Sequence, residues 1–410
     1  MTMRNKEMIE RRAEMLVEVG DLERQGVRSA KIVKHMVSKY GITERTVYGL
    51  LADVRKSAPD GIEGMAVKKK SILYDAEGGI KQQWVKFESD NSVDAVKVIV
   101  EELCRELPKY PKSKPVKLAQ VDDDLLACYP MGDPHFGMLA WNEETEGGDF
   151  DLKIAEDDLC DAVDRLVALG RGKHALIVNL GDFFHADNMD ARTWRSGHPL
   201  DTDSRWLKML RTGIRAMIRC IQSALLKHEK VTVICAIGNH DDHSSMMLMT
   251  VLSNIFENEP RVEILDKPTV KHYHQFGKVL IGVHHGHTIK MADLPLQMAI
   301  DRAKEWHESP YRYWFTGHIH HDSRKEIGGV LVESFRTLAA ADSYGASKGY
   351  VRTGRDMKCI VMHKDFGEIE RHTVSVEMIG QIRRLQRENT RNENKDTHHQ
   401  KGGHRKKKRN

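Results

Sequence analysis

The chain has 410 residues, of which 40% are hydrophobic and 30% are charged, and its formal net charge at pH 7 is +4. This length and composition are typical of a globular protein with one large domain and one or two small ones. Because the net charge is small, it identifies no class of binding partner, and the distribution of charge along the chain is more informative.

Neither a secretory signal nor a membrane-spanning segment is expected. The N-terminal stretch MTMRNKEMIERR has no apolar core, and the longest apolar runs, such as VTVICAI, are far shorter than the roughly 20 residues of a membrane span. We therefore expect a cytoplasmic protein without membrane contact. The six cysteines form no Cys-x-x-Cys pair, which argues against a zinc finger and favours buried free thiols in a reducing compartment.

Residues 1–57 are predicted to be helical. After a helix over 29–40, Gly41 ends that helix and Thr43 caps a second one, in which apolar residues repeat at helical spacing. Two short helices with a Gly-containing turn resemble a DNA-binding helix-turn-helix, and the segment carries twelve Lys or Arg against eight Asp or Glu. A small helical bundle that contacts other proteins is the alternative. In the first interpretation the residues that face DNA are Glu44, Arg45, Thr46 and Tyr48.

Residues 58–122 carry no recognisable chemistry. A β-hairpin is predicted around Gly78 and Gly79, and an amphipathic helix follows between residues 93 and 107. Three prolines in PKYPKSKP, at 108–115, then predict an extended linker and a domain boundary.

From residue 123 to residue 375 strands and helices alternate, which predicts an α/β layered core. A hairpin is expected around Asp365-Phe366-Gly367, and the segment from residue 338 onward is expected to return as edge strands. Residues 376–410 are polar and are predicted to form a disordered tail. The last ten residues hold six basic side chains and no acidic one. The alternative role of this tail is therefore a weak electrostatic attraction for a polyanion. The buried strands of the core are predicted at 125–131, 175–180, 231–237, 279–283 and 313–315.

Residues with metal-binding side chains follow all five of these strands. Loops at the carboxyl ends of strands in an α/β sheet converge on one crevice, so carboxylate and amide oxygens would meet imidazoles there. Mixed oxygen and nitrogen donors without thiolate suit two divalent ions and favour manganese, with iron and zinc as alternatives. The five stretches are GDPHFG at 132–137, GDFFH at 181–185, GNHDD at 238–242, HHGH at 284–287 and GHIHH at 317–321.

These five motifs, in this order between about residue 130 and residue 325, resemble the calcineurin-like metallophosphoesterase superfamily. The resemblance implies a two-sheet core flanked by helices, with a dinuclear metal site at the strand ends. It also implies the ligand set: Asp133, His135 and His320 for the first ion, Asn239, His285 and His318 for the second, and Asp182 between the two. His285 is assigned because it directly precedes Gly286, and His284 is then expected in the core or around the ligands.

Two metal ions at such a site lower the pKa of a bridging water that attacks phosphorus, and they hold the phosphate oxygens. His240 resembles the family's substrate-facing histidine and is our candidate for the general acid. The fifth residue of the second motif is often Asp in phosphatases of the family, whereas here it is His185. Gly-Asp-x-Phe-His resembles the nuclease branch, the exonucleases of double-strand-break repair, which implies that His185 is catalytic or substrate-orienting. The alternative is that His185 only caps the following segment. Asp241 either orients His240 or supports the ligands.

We therefore expect a metal-dependent phosphodiesterase that hydrolyses DNA as an exonuclease or endonuclease and is targeted by its N-terminal domain. One alternative is a phosphatase or phosphodiesterase of nucleotides or phosphoproteins, with the N-terminal domain as a targeting module. Another is a DNA-binding adaptor whose core is only a scaffold, which the complete ligand set disfavours. The resemblance also implies that the protein forms a homodimer and binds an ATPase partner, although no docking segment for such a partner is recognisable in the sequence. An insertion at 190–206 contacts nucleic acid or is an ordered surface loop.

Overall fold

The computed structural model describes residues 12, 14–19, 22, 29–57, 65–74, 80–89, 100, 103–105, 109–110, 122–193, 196–349 and 353–388, with the backbone alone for 52–57, 65–74 and 80–89. The chain divides into two compact units, Met1–Ile99 and Val100–Asn410. Most of the amphipathic helix expected at 93–107, the proline-rich linker and the tail from residue 389 onward lie outside the described residues.

The N-terminal unit contains the two predicted helices, α1 (Ser29–Tyr40) and α2 (Glu44–Ser57), joined by three residues. Gly41 has a φ of 64° and ends α1, because the left-handed region costs glycine little. The Thr43 hydroxyl accepts a hydrogen bond from the Thr46 backbone N–H at 3.2 Å, so Thr43 caps α2 as expected. Apolar residues of both helices and of the preceding helical stretch form one core: Met15, Val19, Ile32, Val33, Met36, Val47, Leu50 and Leu51.

The helical residues 14–19 are tied to α1 by one carboxylate. Glu18 accepts hydrogen bonds from Lys39 Nζ at 2.7 Å and from Tyr40 Oη at 2.5 Å, and His35 Nε2 lies 2.7 Å away. These contacts, with Lys39 the largest, lower the pKa of Glu18 to about 2. After these helices, strands β1 (Met65–Tyr74) and β2 (Ile80–Ser89) pair antiparallel, as the predicted hairpin requires; its turn lies outside the described residues.

In the second unit strands and helices alternate, and the five predicted strands begin and end within two residues of the observed ones. Four further strands, at 262–265, 272–276, 323–327 and 330–334, were not predicted. In chain order the elements are β3 (Leu125–Met131), α3 (Asn142–Thr145), α4 (Leu152–Leu169), β4 (His174–Asn179), α5 (Trp206–Leu225), β5 (Lys230–Cys235), α6 (Asp242–Phe256), β6 (Val262–Leu265), β7 (His272–Phe276), β8 (Val279–Val283), α7 (Leu294–Asp301), α8 (Ala303–Glu308), β9 (Tyr311–Thr316), β10 (Ser323–Ile327), β11 (Val330–Ser334), α9 (Ser343–Ser347), β12 (Asp356–His363), β13 (Gly367–Ser375) and α10 (376–388).

The strands form two sheets. The six-stranded sheet has the order β13-β12-β3-β4-β5-β6, and β3 to β6 run parallel to one another. The five-stranded sheet has the order β10-β11-β9-β8-β7, with β8 and β9 parallel. The hairpin of β12 and β13 is present as predicted, but β12 lies inside the sheet, antiparallel to β3, so the expectation of two edge strands was wrong for β12.

The two sheets pack face to face around one apolar core, in which Val178 and Ile360 of the first sheet meet Ile281 and Phe315 of the second. Helices α4 and α5 cover the outer side of the six-stranded sheet, and Leu294 and Met298 of α7 pack against Trp314 of the other. The fold is therefore α/β with two sheets flanked by helices, as the sequence predicted. Because β3, β4 and β5 run parallel, the loops that follow them leave the sheet at the same edge.

Residues 376–388 differ from the prediction of a polar tail, because they form the helix α10. Ile379 is buried on this helix. The Arg383 guanidinium donates to the carboxylates of Asp158 and Asp161 on α4, at 2.7 Å in both cases. One apolar side chain and one arginine are thus enough to hold a largely polar helix against the core.

All six cysteines are free, and Cys128, Cys160, Cys220, Cys235 and Cys359 are buried. Burial raises the pKa of the Cys235 thiol to about 12, which makes it a poor nucleophile at neutral pH. No described helix combines the length and the apolar character that crossing a membrane requires.

The buried His228 contacts Tyr129 of β3 and the loop that precedes β4. His228 Nδ1 lies 2.8 Å from the Gly172 carbonyl oxygen and Nε2 lies 2.8 Å from Tyr129 Oη. A neutral ring satisfies both contacts, by donating from Nδ1 to the carbonyl and accepting the tyrosine hydroxyl at Nε2. Burial lowers the pKa of His228 to about 4.

We expect this histidine to make the protein sensitive to acid. Because its pKa is lower in the folded chain than in the unfolded one, the unfolded chain binds the extra proton, and stability falls as pH drops from about 6.5 to 4, by on the order of 3 kcal/mol. Urea unfolding at several pH values, with a chelator present, measures this loss. The variant His228→Gln should be less stable at pH 7.5 and should lose less stability on acidification; equal pH slopes would contradict the assignment.

Candidate metal centre

The loops after β3, β4, β5, β8 and β9 bring their polar side chains together at one edge of the two sheets. Side chains from these loops form three groups whose ligand atoms lie within 4.8 Å of one another, two with a carboxylate and one of imidazoles alone. The segments therefore converge as the sequence predicted. The groups are Asp133, His135 and His320; Asp182, His285 and His318; and His135, His185 and His240.

The first group places two imidazoles beside one buried carboxylate. His135 Nε2 lies 3.2 Å from His320 Nε2, and His320 Nε2 lies 3.5 Å from Asp133 Oδ1. Both oxygens of Asp133 also accept the backbone N–H of His318, at 2.9 and 3.0 Å. Ring nitrogens that face one another and a carboxylate at such distances can all serve as donors to one cation.

The second group is built around His285. Its Nδ1 donates to the Leu180 carbonyl oxygen at 2.8 Å, which turns Nε2 toward Asp182 Oδ2 and Asn239 Oδ1, both at 3.1 Å. Burial opposes a charge on this ring, yet Asp182 raises the pKa of His285 to about 10. The Asp182 carboxylate thus stabilises a positive charge at this position, and a divalent cation could supply that charge in place of a proton.

Asp182 joins the loops electrostatically. Its Oδ1 accepts the His240 backbone N–H at 2.8 Å, and its carbonyl oxygen accepts the His135 backbone N–H at 3.0 Å. Burial would raise the pKa of this carboxyl, but His285 and His240 lower it well below the usual range. Asp182 is therefore ionised within the second group, and its backbone contacts His135 of the first.

The backbone of the centre is strained. Among the described residues, seven that are not glycine have a positive φ, and five of these are predicted ligands. The left-handed region costs such residues of order 1 kcal/mol or more each, and this strain is commonly found where function requires a fixed geometry. The five are Asp133 (42°), His135 (48°), Asp182 (48°), His318 (70°) and His320 (53°).

Two glycines of the motifs are required by close packing on the ligands. A Cβ atom at Gly238 would lie 2.1 Å from Asp182 Oδ1, and one at Gly317 would lie 2.5 Å from Asp133 Oδ2. Real carbon atoms do not approach oxygen this closely, so any larger residue would displace a carboxylate.

The third group contains the candidate catalytic histidines. The rings of His185 and His240 stack with centroids 5.3 Å apart and an interplanar angle of 22°. His240 Nδ1 donates to the His185 carbonyl oxygen at 2.9 Å, and His185 Nδ1 lies 3.3 Å from His135 Nδ1. His185 is buried, and burial lowers its pKa well below the usual value, so its ring is neutral.

Asp241 contacts loop backbone. Its Oδ2 accepts the N–H groups of Phe183 and Phe184, at 2.8 and 3.1 Å, and its Oδ1 accepts that of Gly238 at 3.0 Å. Burial, and then the charge of Asp182, raises the pKa of Asp241 to about 7. The His240 ring is held by the His185 carbonyl and not by Asp241. Of the two roles expected for Asp241, orienting His240 or supporting the ligands, these contacts therefore favour support of the loops that carry the ligands.

One further buried carboxylate next to the centre is not among the residues predicted from the sequence. Asp187 is buried and accepts the backbone N–H groups of His243 and Ser244, which caps α6 directly after Asn239 and His240. His243 Nδ1 lies 2.6 Å from Asp187 Oδ2. No local pattern marks Asp187 as a capping residue, because the helix that it caps begins 55 residues further along the chain.

The remaining sequence candidates lie apart from the ligands or in the other unit. His284 Nε2 contacts Thr288 Oγ1 at 2.9 Å and its Nδ1 accepts the Gly286 N–H, so it supports the loop that carries His285. In the N-terminal unit Arg45, Thr46 and Tyr48 are exposed at the start of α2.

Comparison with protein-family models and with curated proteins gives no match. Among solved structures, an archaeal phosphodiesterase is similar at 13% identity and a TM-score of 0.32, over 61% of this chain and 99% of its own. A predicted phosphoesterase from Streptococcus pneumoniae aligns at 13% identity and a TM-score of 0.22, over 61% and 98%. Vps29 from Entamoeba histolytica, in complex with Zn²⁺, aligns at 14% identity and a TM-score of 0.25, over 61% and 98%. At these values the function of this chain has to be argued from its own residues.

We expect Gly317→Ala to weaken metal binding by at least about tenfold, because the new methyl group would push the Asp133 carboxylate out of the first group. Calorimetric titration of the metal-free protein with Mn²⁺ measures the affinity. Gly380→Ala is the matched control: it adds the same atom to α10, where nothing lies within 4 Å, and should leave the affinity unchanged. Equal affinities of both variants would argue against Asp133 as a ligand.

Proposed function

We propose that this protein is a metal-dependent phosphodiesterase that hydrolyses DNA. The convergence of the five loops carries the proposal, because it puts two carboxyl groups, one amide and four imidazoles within reach of two cations. The motifs resemble those of metallophosphoesterases in type and order, and the two-sheet core is the fold that this resemblance implies.

The donor set fits two divalent ions. Asp133, His135 and His320 would hold the first, and Asn239, His285 and His318 the second, with Asp182 next to both. Oxygen and nitrogen donors without sulfur favour Mn²⁺, and Fe²⁺ and Zn²⁺ are the alternatives. Such ions, when bound, neutralise phosphate oxygens and activate water.

The chain's own groups orient and protonate the substrate. The His185 carbonyl accepts from Nδ1 of His240, which leaves Nε2 of His240 to face the phosphate and to protonate the leaving oxygen. The neutral His185 ring stacks on His240 and fixes its plane. Asp241 holds the loops of both histidines through backbone N–H groups and is thus a positioning residue.

DNA is proposed as the substrate on two grounds. His185 stands where the phosphatases of the resembling family commonly have Asp, and the N-terminal unit exposes Arg45, Thr46 and Tyr48 at the start of a capped helix. A homodimer and an ATPase partner follow only from the resemblance and stay proposals.

Hydrolysis in the presence of Mn²⁺ tests the proposal directly. We expect the wild-type protein to cleave end-labelled DNA and bis-p-nitrophenyl phosphate, and Asp182→Asn to be inactive because it loses the charge shared by the ligand groups. His185→Gln should bind metal normally and lower turnover by about 10²-fold or more. Bound manganese, measured on the same samples, separates the two effects.

Two results would contradict this function. Retained hydrolysis in Asp182→Asn would remove the metal assignment. Cleavage of p-nitrophenyl phosphate alone, with no diester or DNA hydrolysed, would show a phosphatase and make the N-terminal unit a separate targeting module.

We expect Arg45→Ala to raise the Kd for double-stranded DNA by about tenfold, since an arginine at the start of a recognition helix contacts bases or phosphates. Fluorescence anisotropy at a fixed salt concentration measures this, and hydrolysis of bis-p-nitrophenyl phosphate should be unchanged. Lys304→Ala removes one exposed positive charge from the other unit and is the control. Equal Kd values for both variants would exclude a DNA contact by Arg45.

A further inference from the structure

Three loop segments form a rim beside the metal centre: residues 138–145, 196–203 and 342–348. Asp201 links them, because its carbonyl oxygen accepts the Leu139 N–H at 3.0 Å and its carboxylate accepts the hydroxyl of Ser343. Helices α3 and α9, which belong to the first and third segments, are also in contact. The rim is therefore a built part of the fold rather than three separate loops.

The rim is connected directly to the ligands. The Met138 backbone N–H donates to the His135 carbonyl oxygen at 3.0 Å, and Thr337 Oγ1 donates to the Asp133 carbonyl oxygen at 2.6 Å, five residues before the third segment. The backbone of Asp201 lies beside the ring of His185. The rim is therefore adjacent to the place at which the proposed phosphate would bind.

The rim exposes aromatic side chains. Trp141 is 59% exposed and Tyr344 is 62% exposed, whereas Phe136, Phe150 and Phe183 nearby are fully buried. The His198 ring lies 6.3 Å from that of Tyr344. Exposed aromatic rings of this kind can stack on the faces of nucleobases.

The charge of the rim indicates which part of a nucleic acid it would contact. Glu143, Glu144 and Glu146 are exposed next to Trp141, and Asp342 precedes Tyr344. These carboxylates repel phosphates, so the rings suit an uncharged planar group rather than a sugar–phosphate backbone. Lys348, with Nζ 5.6 Å from the centre of the Tyr344 ring, is the one cation in contact with either ring among the described residues.

We propose that Trp141 and Tyr344 form a stacking subsite for unpaired nucleobases that flank the scissile phosphate. This rests on the proposed function and makes it more specific. A base inside a duplex already stacks on both faces, so the substrate is a single strand or an unpaired end.

The test compares two single-stranded oligonucleotides of equal length, one with normal bases and one with abasic sites around the cleaved position. Trp141→Ala and Tyr344→Ala should each lower kcat/KM on the normal strand by about tenfold. The same variants should hydrolyse the abasic strand as fast as the wild-type protein hydrolyses it. This result would also show that the metal centre of the variants is intact. Trp141→Phe and Tyr344→Phe keep a ring and should retain most of the activity.

Equal loss on both strands, or no loss on either, would overturn the subsite while DNA hydrolysis by the wild-type protein stands. Faster cleavage of duplex than of single-stranded DNA would overturn it as well. If the wild-type protein cleaves bis-p-nitrophenyl phosphate but no DNA of any form, the proposed DNA substrate fails and the subsite fails with it.

Discussion

The candidate metal centre depends on two buried carboxyl groups, those of Asp133 and Asp182, which follow the ends of adjacent parallel strands. A carboxylate removed from water is stable only with hydrogen bonds and positive charge around it. The backbone N–H groups of His318 and His240 supply hydrogen bonds to the two carboxyl groups, and bound cations would supply the positive charge. The loops meet at this place because the strands that carry them run parallel and end at the same edge of the sheet.

Much of this arrangement could be predicted from the sequence, because strands such as 125–131 and 279–283 are short apolar runs followed by glycine and a metal-binding residue. Two of the four strands that were missed, β7 and β10, have no apolar run. β10 reads SRKEI and β7 reads HYHQF, so pairing with an existing strand, rather than apolar content, makes them strands. The insertion of β12 beside β3 and the capping of α6 by Asp187 depend on contacts between distant residues, and no local pattern reports them.

The histidine at position 185 determines how the candidate centre orients the ring of His240. In the resembling phosphatases a carboxylate occupies this place and pairs with the histidine of the Gly-Asn-His motif. Here a backbone carbonyl accepts from His240, and the side chain of the same residue stacks on it. The His240 ring is therefore oriented by an uncharged carbonyl group and a neutral ring rather than by a carboxylate.

The left-handed backbone at Asp133, His135, Asp182, His318 and His320 has a consequence for how this protein can be altered. Substitution by glycine would relieve strain at any of these positions, so the ligands are held at some expense to the thermal stability of the chain. Substitutions that relieve this strain would therefore also remove the side chains proposed to hold the metal ions. Stabilising this protein without disturbing the candidate centre has to begin in the sheets and helices that carry the loops.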